Sequence, residues 1–597
     1  MILQSLVKLY ERRAALGAAE GSAPAPIGFE WKAIPFVIVI DGDGRFVDLQ
    51  DTRRENDKKK QIATLEMVPA GVKKTSGVAA NLLWDTAEYV LGVETEIKNK
   101  IAKPDRIREQ HAAFLARLDE LPDAVKCDGG IAAVLAFLGN ADEREKLYAL
   151  PLWETLRTTN PLLSFRLQHD TELVSQRDTF RTWWLAQAGN EEADGVCLVT
   201  GEAAVIERLH PAIKGVWGAQ SSGANLVSFN LDAFTSYGKE QGANAPIGKP
   251  AAAMYTTALN DLLRDERHRI QVGDASTVFW AEEVEHPIVT AFATMFGAMK
   301  KSDDPTRGIE YTRQIYDSIR SGKLAEHGPG SKFYVLALAP NAARLSVRFW
   351  HVATVAELSR HFKQHLIDLE IVRPKFELET PNLFRLLLAC ALLRKAENIP
   401  PNLGGEVMQA VLNNRPYPQT FFAAALRRCR ADQDVDYARA AIIKACLNRS
   451  NRIRQTNARG LTVELDPDNN TPAYLLGQLF MILERIQEEA MGKINRTIRD
   501  TYWGAAQANP QRTFPVLERL AEKHLKKMRR ESPGRVENLK KMMGDRISRL
   551  YSALTTAATA SPFPANLSAA EQGLFIVGYY HQRRSETTYK TAGSKES

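Results

Sequence analysis

The sequence predicts an α+β protein: a mixed α/β N-terminal body with β-hairpins, followed by a helical region that ends in a small basic helix bundle. Three observations carry this. Asp41-Gly-Asp-Gly44 lies between two β-branched runs, a short-range hairpin signal. Two further strand-like runs, Phe333–Leu338 and Arg344–Trp350, flank Ala-Pro-Asn-Ala-Ala. From about Ala356 onward the chain reads as helical, as at Leu475, Leu476, Leu479, Ile482, Leu483 and Ile486.

In chain order, a short amphipathic helix and an Ala/Pro-rich stretch (18–28) precede the first hairpin, Pro35–Ile40 with Arg45–Leu49. Asp41 and Asp43 sit in its turn, where turn chemistry accounts for them. Residues 101–190 read as helices anchored by Trp153, Trp183 and Trp184, and a β-rich region is expected from Cys197 to about Asn244. In the strand that starts at Arg344, alternation puts Arg344, Ser346 and Arg348 on one face and Leu345, Val347 and Phe349 on the other. That arginine face suits a phosphate backbone or simply solvent. Thr471-Pro472 and Ser532-Pro533 open bundle helices. The second of these turns Val536, Leu539, Met543, Ile547 and Leu550 inward, and residues after about Arg584 read as disordered. The expected domains are 1–355, 356–460 and 461–597.

At 597 residues the chain exceeds one ordinary core, and 44% hydrophobic with 25% charged residues is a soluble globular composition. Lys8, Glu11, Arg12 and Arg13 break the N-terminal apolar stretch before it becomes a signal sequence. No apolar run approaches the roughly 20 residues that span a bilayer. A cytoplasmic protein without membrane contact is expected. Five widely spaced cysteines without CxxC argue against disulfides and a Cys-based zinc site. His361 and His365 share a helical face, but Phe362 stands where a metalloprotease needs Glu, so the pair reads as helix surface and no metal site is expected.

Charge is unevenly spread. From Thr471 to Ser597 there are 20 Lys+Arg against 12 Asp+Glu, and subtracting these from 78 and 71 for the whole chain leaves 58 against 59 before it. A neutral body with a basic helical tail suits a polyanion partner. Its candidate cations are Lys523, Lys526, Lys527, Arg530, Arg535, Lys541, Arg546 and Arg549, with Arg344 and Arg348 in the body.

Two segments are rich in hydrogen-bonding groups and poor in core-formers. The first runs from Met67 through Val-Lys73-Lys74-Thr75-Ser76-Gly77 to Asn81 and Asp85. Its lysines and hydroxyls suit phosphates and its Asn a base edge. It lacks the spacing of a nucleotide-binding P-loop. The second runs from Cys197-Leu-Val-Thr-Gly-Glu202 through His210, Lys214, Gln220-Ser221-Ser222 and Asn225 to Lys239, Gln241 and Asn244. Cys197, His210 and Glu202 resemble a nucleophilic set only in order along the chain, which is no evidence that they meet.

These two blocks, with Tyr89-Val-Leu-Gly92, Val278-Phe-Trp-Ala281 and the Leu-Ala-Pro-Asn-Ala-Ala-Arg-Leu-Ser-Val-Arg-Phe-Trp pair, resemble the Csd-type (Dvulg subtype) CRISPR-associated proteins. Those are the large subunits of the type I-C Cascade. The resemblance runs from Met1 to about Tyr580, and stretch 18–28 has no counterpart. It implies a DNA-surveillance subunit with no catalytic residues and no cofactor. Such a subunit inspects the protospacer-adjacent motif in duplex DNA, helps open the duplex into an R-loop, and offers a docking surface to a separate helicase-nuclease. The implied partners are crRNA-containing Cascade subunits (handle-binding, backbone and small subunits), target double-stranded DNA and its displaced single strand.

On that basis Lys73, Lys74, Thr75, Ser76 and Asn81 are expected to read the motif. Lys214, Gln220, Ser221, Ser222, Asn225, Lys239, Gln241 and Asn244 are expected to form the wedge loop. The resemblance further implies small subunits made from an internal start, with a seam at Arg459–Thr471. Met481 and Met491 would truncate the first bundle helix, and a non-AUG codon nearer Val463 is an equal alternative. A metal-dependent nuclease acting on DNA or crRNA is the competing function.

Overall fold

The computed structural model describes the chain apart from residues 21–23, 56–58, 60, 73–76, 98–99, 102, 188–191, 284, 298–304, 375–376, 378–379, 493–494, 531, 555–562 and 594–597. It is an α+β protein of two compact units, residues 1–213 with 222–261, and 214–221 with 262–597.

The first unit is built on the expected hairpin. Strand β1 (Phe36–Ile40) pairs antiparallel with β2 (Phe46–Asp51). Asp41 closes the turn by accepting the N–H groups of Asp43 (2.9 Å) and Arg45 (2.8 Å) on Oδ1. The sheet order is β2-β1-β4-β3, where β3 is Trp84–Thr86 and β4 is Leu162–Leu167. β4 lies inside the stretch expected to be helical, runs parallel to β1, and pairs antiparallel with β3. Every residue of β1 is buried. Phe36, Ile38, Ile40, Leu163 and Phe165 share one core with Phe114, Val134 and Phe137 of the covering helices. Val37, Val68, Trp84 and Leu173 pack together separately.

The expected β-rich region from Cys197 to Asn244 is mostly irregular. Its regular pairing is Gly195–Val196 with Ala203–Ala204, plus isolated bridges such as Ile213↔Ala224. Gly, Pro and polar residues keep alternating apolar runs from forming there, so turns and side-chain bonds hold it.

The second unit carries an antiparallel sheet, β5 (Arg269–Val272), β6 (Ala275–Ala281), β7 (Lys332–Asn341) and β8 (Arg344–Thr354), in that order. Phe279, Phe333 and Val335 face the helical core. Trp280, Tyr334 and Trp350 stack on one another, with ring centroids 5.1–5.7 Å apart. The register shifts between Ala337 and Leu338, so Leu338 pairs with Val347 but Ala337 with Phe349. Arg348 is the extra residue of this bulge. The expected shared face of Arg344, Ser346 and Arg348 is therefore broken, because a bulge reverses the alternation beyond it.

From Val355 on the chain is helical. Helix α1 (Val355–Leu369) starts with a Thr354/Glu357 capping box. It packs with α2 (Leu403–Leu412) and α3 (Tyr437–Arg454). Asp368 on α1 meets Arg449 of α3 at 3.1 Å, with side chains 2% and 0% exposed. Arg449 also donates to the carbonyls of Arg415 (2.8 Å) and Ala410 (3.0 Å) and lies 4.7 Å from the Tyr417 ring centroid. Arg452 binds the other side of the same carboxylate.

The histidine pair is not surface. His365 is buried with Nδ1 2.6 Å from the Tyr417 hydroxyl, and His361 is half-buried with Nδ1 2.8 Å from Leu412 O. The helix turns this face onto α2 and the loop that follows it.

The bundle is centred on α4 (Pro472–Met491), buried at every residue from Ala473 to Ile486. Around it lie α5 (Ile498–Ala508), α6 (Pro510–Met528), α7 (Pro533–Leu554) and α8 (Ala569–Gly593). Val536, Leu539 and Leu550 are buried as expected, with Met543 and Ile547 packed beside them. Gly477 and Gly578 let α4 and α8 cross closely, since a Cβ on Gly477 would lie 1.9 Å from Phe575 O. The chain beyond Arg584, expected to be disordered, continues α8 to Gly593.

One core runs from Ile270 to Tyr580 through residues 355 and 461. The seam at Arg459–Thr471 is strapped down: Arg459 grips Asp466 (2.8 and 3.0 Å), and Asn448 exchanges two bonds with Leu461. Among the described residues, no helix is long and apolar enough to cross a membrane.

Asp368→Ala strands the buried Arg449 guanidinium and should destabilise the second unit by about 3–5 kcal/mol, read as a fall in its denaturation midpoint. Burial also lowers the pKa of His365 and of His581 to about 3. Both stay neutral in the fold, whereas the unfolded chain protonates near ~6.5. Their contribution is whole above that pH and is lost as pH falls from about 6.5 toward 3. Melting midpoints should fall over the accessible part of this window, and His365→Gln with His581→Gln should flatten the fall.

Candidate nucleic-acid interface

The first loop leaves the strand Leu65–Pro69 and returns to β3. Lys73, Lys74, Thr75 and Ser76 lie outside the described residues. The base of the loop is tied by four bonds among the described residues: Trp84 Nε1 to Pro69 O (2.8 Å), Gly71 N–H to Glu30 Oε1 (3.1 Å), Val72 N–H to Asn81 Oδ1 (3.0 Å), and Asn81 N–H to Asp85 Oδ2 (2.9 Å). Asn81 is therefore buried, with its amide oxygen occupied, rather than aimed outward at a base edge. Its short side chain reaches the Val72 backbone sooner than solvent, so it positions the loop that the sequence expected it to read with.

The second block divides between the units. In the first unit, Leu198 N–H donates to Pro246 O (2.9 Å) and Glu207 N–H to Ile247 O (2.8 Å), which lays its two arms side by side. Cys197 is buried, and His210 Nδ1 faces the Tyr255 hydroxyl at 2.6 Å. Asn225 Nδ2 donates to His210 O (2.7 Å). Asn244 spends its whole amide on one turn: Oδ1 accepts the Ser236 N–H (3.1 Å), and Nδ2 donates to the carbonyls of Lys239 (2.8 Å) and Gln241 (3.1 Å). Asn225 and Asn244, expected to touch DNA, thus brace backbone. Ser222 and Lys239 are exposed, and Gln241 is half-buried.

In the second unit, residues 214–221 form a short anchored loop. Val216 is buried, Trp217 N–H donates to Ser276 Oγ on β6 (2.9 Å), and Ala219 N–H donates to Val216 O (3.1 Å). Gly215 and Gly218 take positive φ, 88° and 79°, where a side chain would be strained. The anchors leave Lys214, Gln220 and Ser221 exposed. They also hold Trp217 out, 64% exposed. Sequence reasoning passed over Trp217, although an aromatic between Gly, Val and Gly in a polar loop was the available signal.

The basic surface sorts into two classes. Lys523, Lys526, Lys527 and Arg530 are exposed at spacings of three, four and seven, along one side of the last turns of α6 and just past its end. Lys541 is exposed on α7. The other three cations are engaged inside the unit. Arg535 clamps Glu489 of α4 with two bonds (2.6 and 2.7 Å), and that contact holds the carboxyl down at about 2. Arg546 is mostly covered and bonded to Asp545, and burial pulls its guanidinium below the ordinary range. Arg549 donates to Asn470 Oδ1 (2.8 Å) and Asn469 O (3.1 Å). With Arg546 Nη2 also donating to Gln582 Oε1 of α8 (3.4 Å), these three join α7 to the rest of the bundle, a role that periodicity alone could not distinguish from display. In the body, Arg348 pairs with Asp274, and Arg344 is half-buried. Among the described residues, no three His, Cys, Asp or Glu side chains converge as metal ligands.

Asn244→Ala removes three bonds from one exposed turn, each worth about 1 kcal/mol. Amide exchange at Ser236 should quicken by roughly tenfold while the melting midpoint stays near that of the parent, as hydrogen–deuterium exchange with thermal unfolding would reveal.

No curated protein matches the chain. The family described as CRISPR-associated protein (Cas_Csd1) matches it over residues 6–586.

Proposed function

The chain belongs to the Cas_Csd1 family of CRISPR-associated proteins, and on that premise we propose that it is the large subunit of a type I-C interference complex. In this reading it recognises a protospacer-adjacent motif in duplex DNA, helps open the duplex into an R-loop, and helps recruit a helicase-nuclease in antiviral defence. Its partners are the crRNA-bearing subunits, the target duplex and the displaced strand. It works in the cytoplasm and performs no chemistry of its own.

The observation that supports this reading most is the exposed row Lys523, Lys526, Lys527 and Arg530, beside arginines that are engaged internally. A row of lysines and an arginine attracts phosphate without reading sequence, which suits steadying a displaced strand. Guide pairing reads the target, so protein need inspect only a short flanking motif. That inspection falls to the Lys73–Ser76 segment, whose loop Asn81 ties at its base. In this reading Gln220 and Ser221, exposed on the loop anchored at Ser276, meet bases where unpairing begins.

Replacing Lys523, Lys526, Lys527 and Arg530 together by Ala should reduce the salt dependence of single-strand binding by about 3 units of slope, at ~0.7 per phosphate. Binding titrations from low to moderate salt measure it, and an unchanged slope removes the row from the interface. The same protein incubated with labelled DNA and a divalent metal should leave it intact. Cutting that a carboxylate substitution abolishes would make the protein a nuclease instead.

A further inference from the structure

The turn Ser236–Lys239 has an uncommon construction. Lys239 N–H donates to Ser236 O (3.0 Å), and both central residues, Tyr237 and Gly238, have positive φ, 52° and 72°. This is the I′ kind of turn, whose first central position favours Asn, Asp or Gly. A Tyr there carries a steric penalty that Asn and Gly avoid. The fold returns nothing for it, because Tyr237 is 99% exposed. The strained shape is nevertheless enforced, by the three bonds that Asn244 makes to Ser236, Lys239 and Gln241. A strained residue over-determined by its surroundings, with its ring wholly in water, points to use rather than to packing.

We propose that Tyr237 is a stacking platform for an unpaired nucleobase; the proposal rests on the nucleic-acid reading above and names a residue and a contact within it. The chemistry around the ring favours a base over an apolar protein anchor. Ser236, Gly238, Lys239 and Glu240 flank it, all exposed, so the ring is a single flat π-face in a polar setting. A protein anchor would want a contiguous apolar patch and a desolvated pocket. A base needs one aromatic face, and every base offers a matching one. Gly238 has open space where a Cβ would stand, so a sugar-phosphate backbone can pass close to the turn. Lys239 and Glu240 are adjacent and of opposite sign, so stacking rather than net charge carries the affinity at this site. The tyrosine is held out before any ligand arrives, which reduces the ordering cost on binding.

The test uses the full chain and fluorescein-labelled oligo-thymidine, with oligo-uridine as a second arm to distinguish a DNA from an RNA strand. Tyr237→Ala should weaken binding to at least one of them by about five- to a hundredfold, equally at low and high salt. Tyr237→Phe should bind as the parent does, and Tyr237→Leu should bind as weakly as the Ala variant. The side chain touches nothing in the fold, so unchanged melting midpoints are expected for all three. Parental affinity in the Ala variant, or a Leu variant as good as Phe, overturns the stacking role. If the parent binds duplex and single strands and only the Tyr237 variants fail to differ, this inference falls and the nucleic-acid reading stands. If the parent binds neither, both fall.

Discussion

The second unit depends on a carboxylate that faces more positive charge than it can balance alone. Asp368 is buried between Arg449 and Arg452, and its own carbonyl accepts from Lys444 Nζ at 3.3 Å. Charges out of water are costly unless paired and fully hydrogen-bonded. Here the carbonyls of Ala410 and Arg415, the Tyr417 hydroxyl and Asn414 Oδ1 accept from the Arg449 guanidinium as well. Burial pulls the Lys444 ammonium below its ordinary range. The arrangement fixes α1, α2, α3 and the loop after α2 at one relative position. That layer is continuous with the core that carries both the sheet and the C-terminal bundle.

The same distinction between engaged and displayed charge organises the tail. A residue such as Arg535, held to Glu489 by two short bonds, is covalently no different from Arg530 five residues earlier in the sequence. Its partner makes it a structural tie. The excess of positive charge counted along the chain therefore overstates the surface available to a polyanion. What remains among the described residues is concentrated on α6 and the start of the following turn, with Lys540 and Lys541 on α7.

A related division governs the polar loops. Asn81 is expected to read a base edge and Asn225 and Asn244 to belong to the wedge loop, and each amide can both donate and accept. Each uses that capacity on nearby backbone, since a short amide beside a turn finds main-chain partners first. The turn that Asn244 braces holds Tyr237 out, and the bond to Ser276 holds out the loop that carries Trp217. Rigid loops with one exposed ring are a more economical reading of these motifs than loops in which every polar residue is a contact.

The α+β class, the Asp-Gly hairpin, the strand pair near residue 340, the helix start at Thr471-Pro472 and the apolar faces of the bundle helices are legible in the sequence alone. These are local matters: turn dihedrals, side-chain alternation and helical period act within a few residues. The other features arise from contacts between distant parts of the chain. Strand β4 is short and lies between helices, and it exists because β1 and β3, distant in sequence, supply its ladder on both sides. The bulge at Arg348 depends on β7, and the histidines of α1 are buried because α2 and its loop cover them. Which cation is tied and which is free depends on carboxylates and carbonyls brought from elsewhere in the chain. Burial and partnership are properties of the folded neighbourhood, and no window along the sequence contains them.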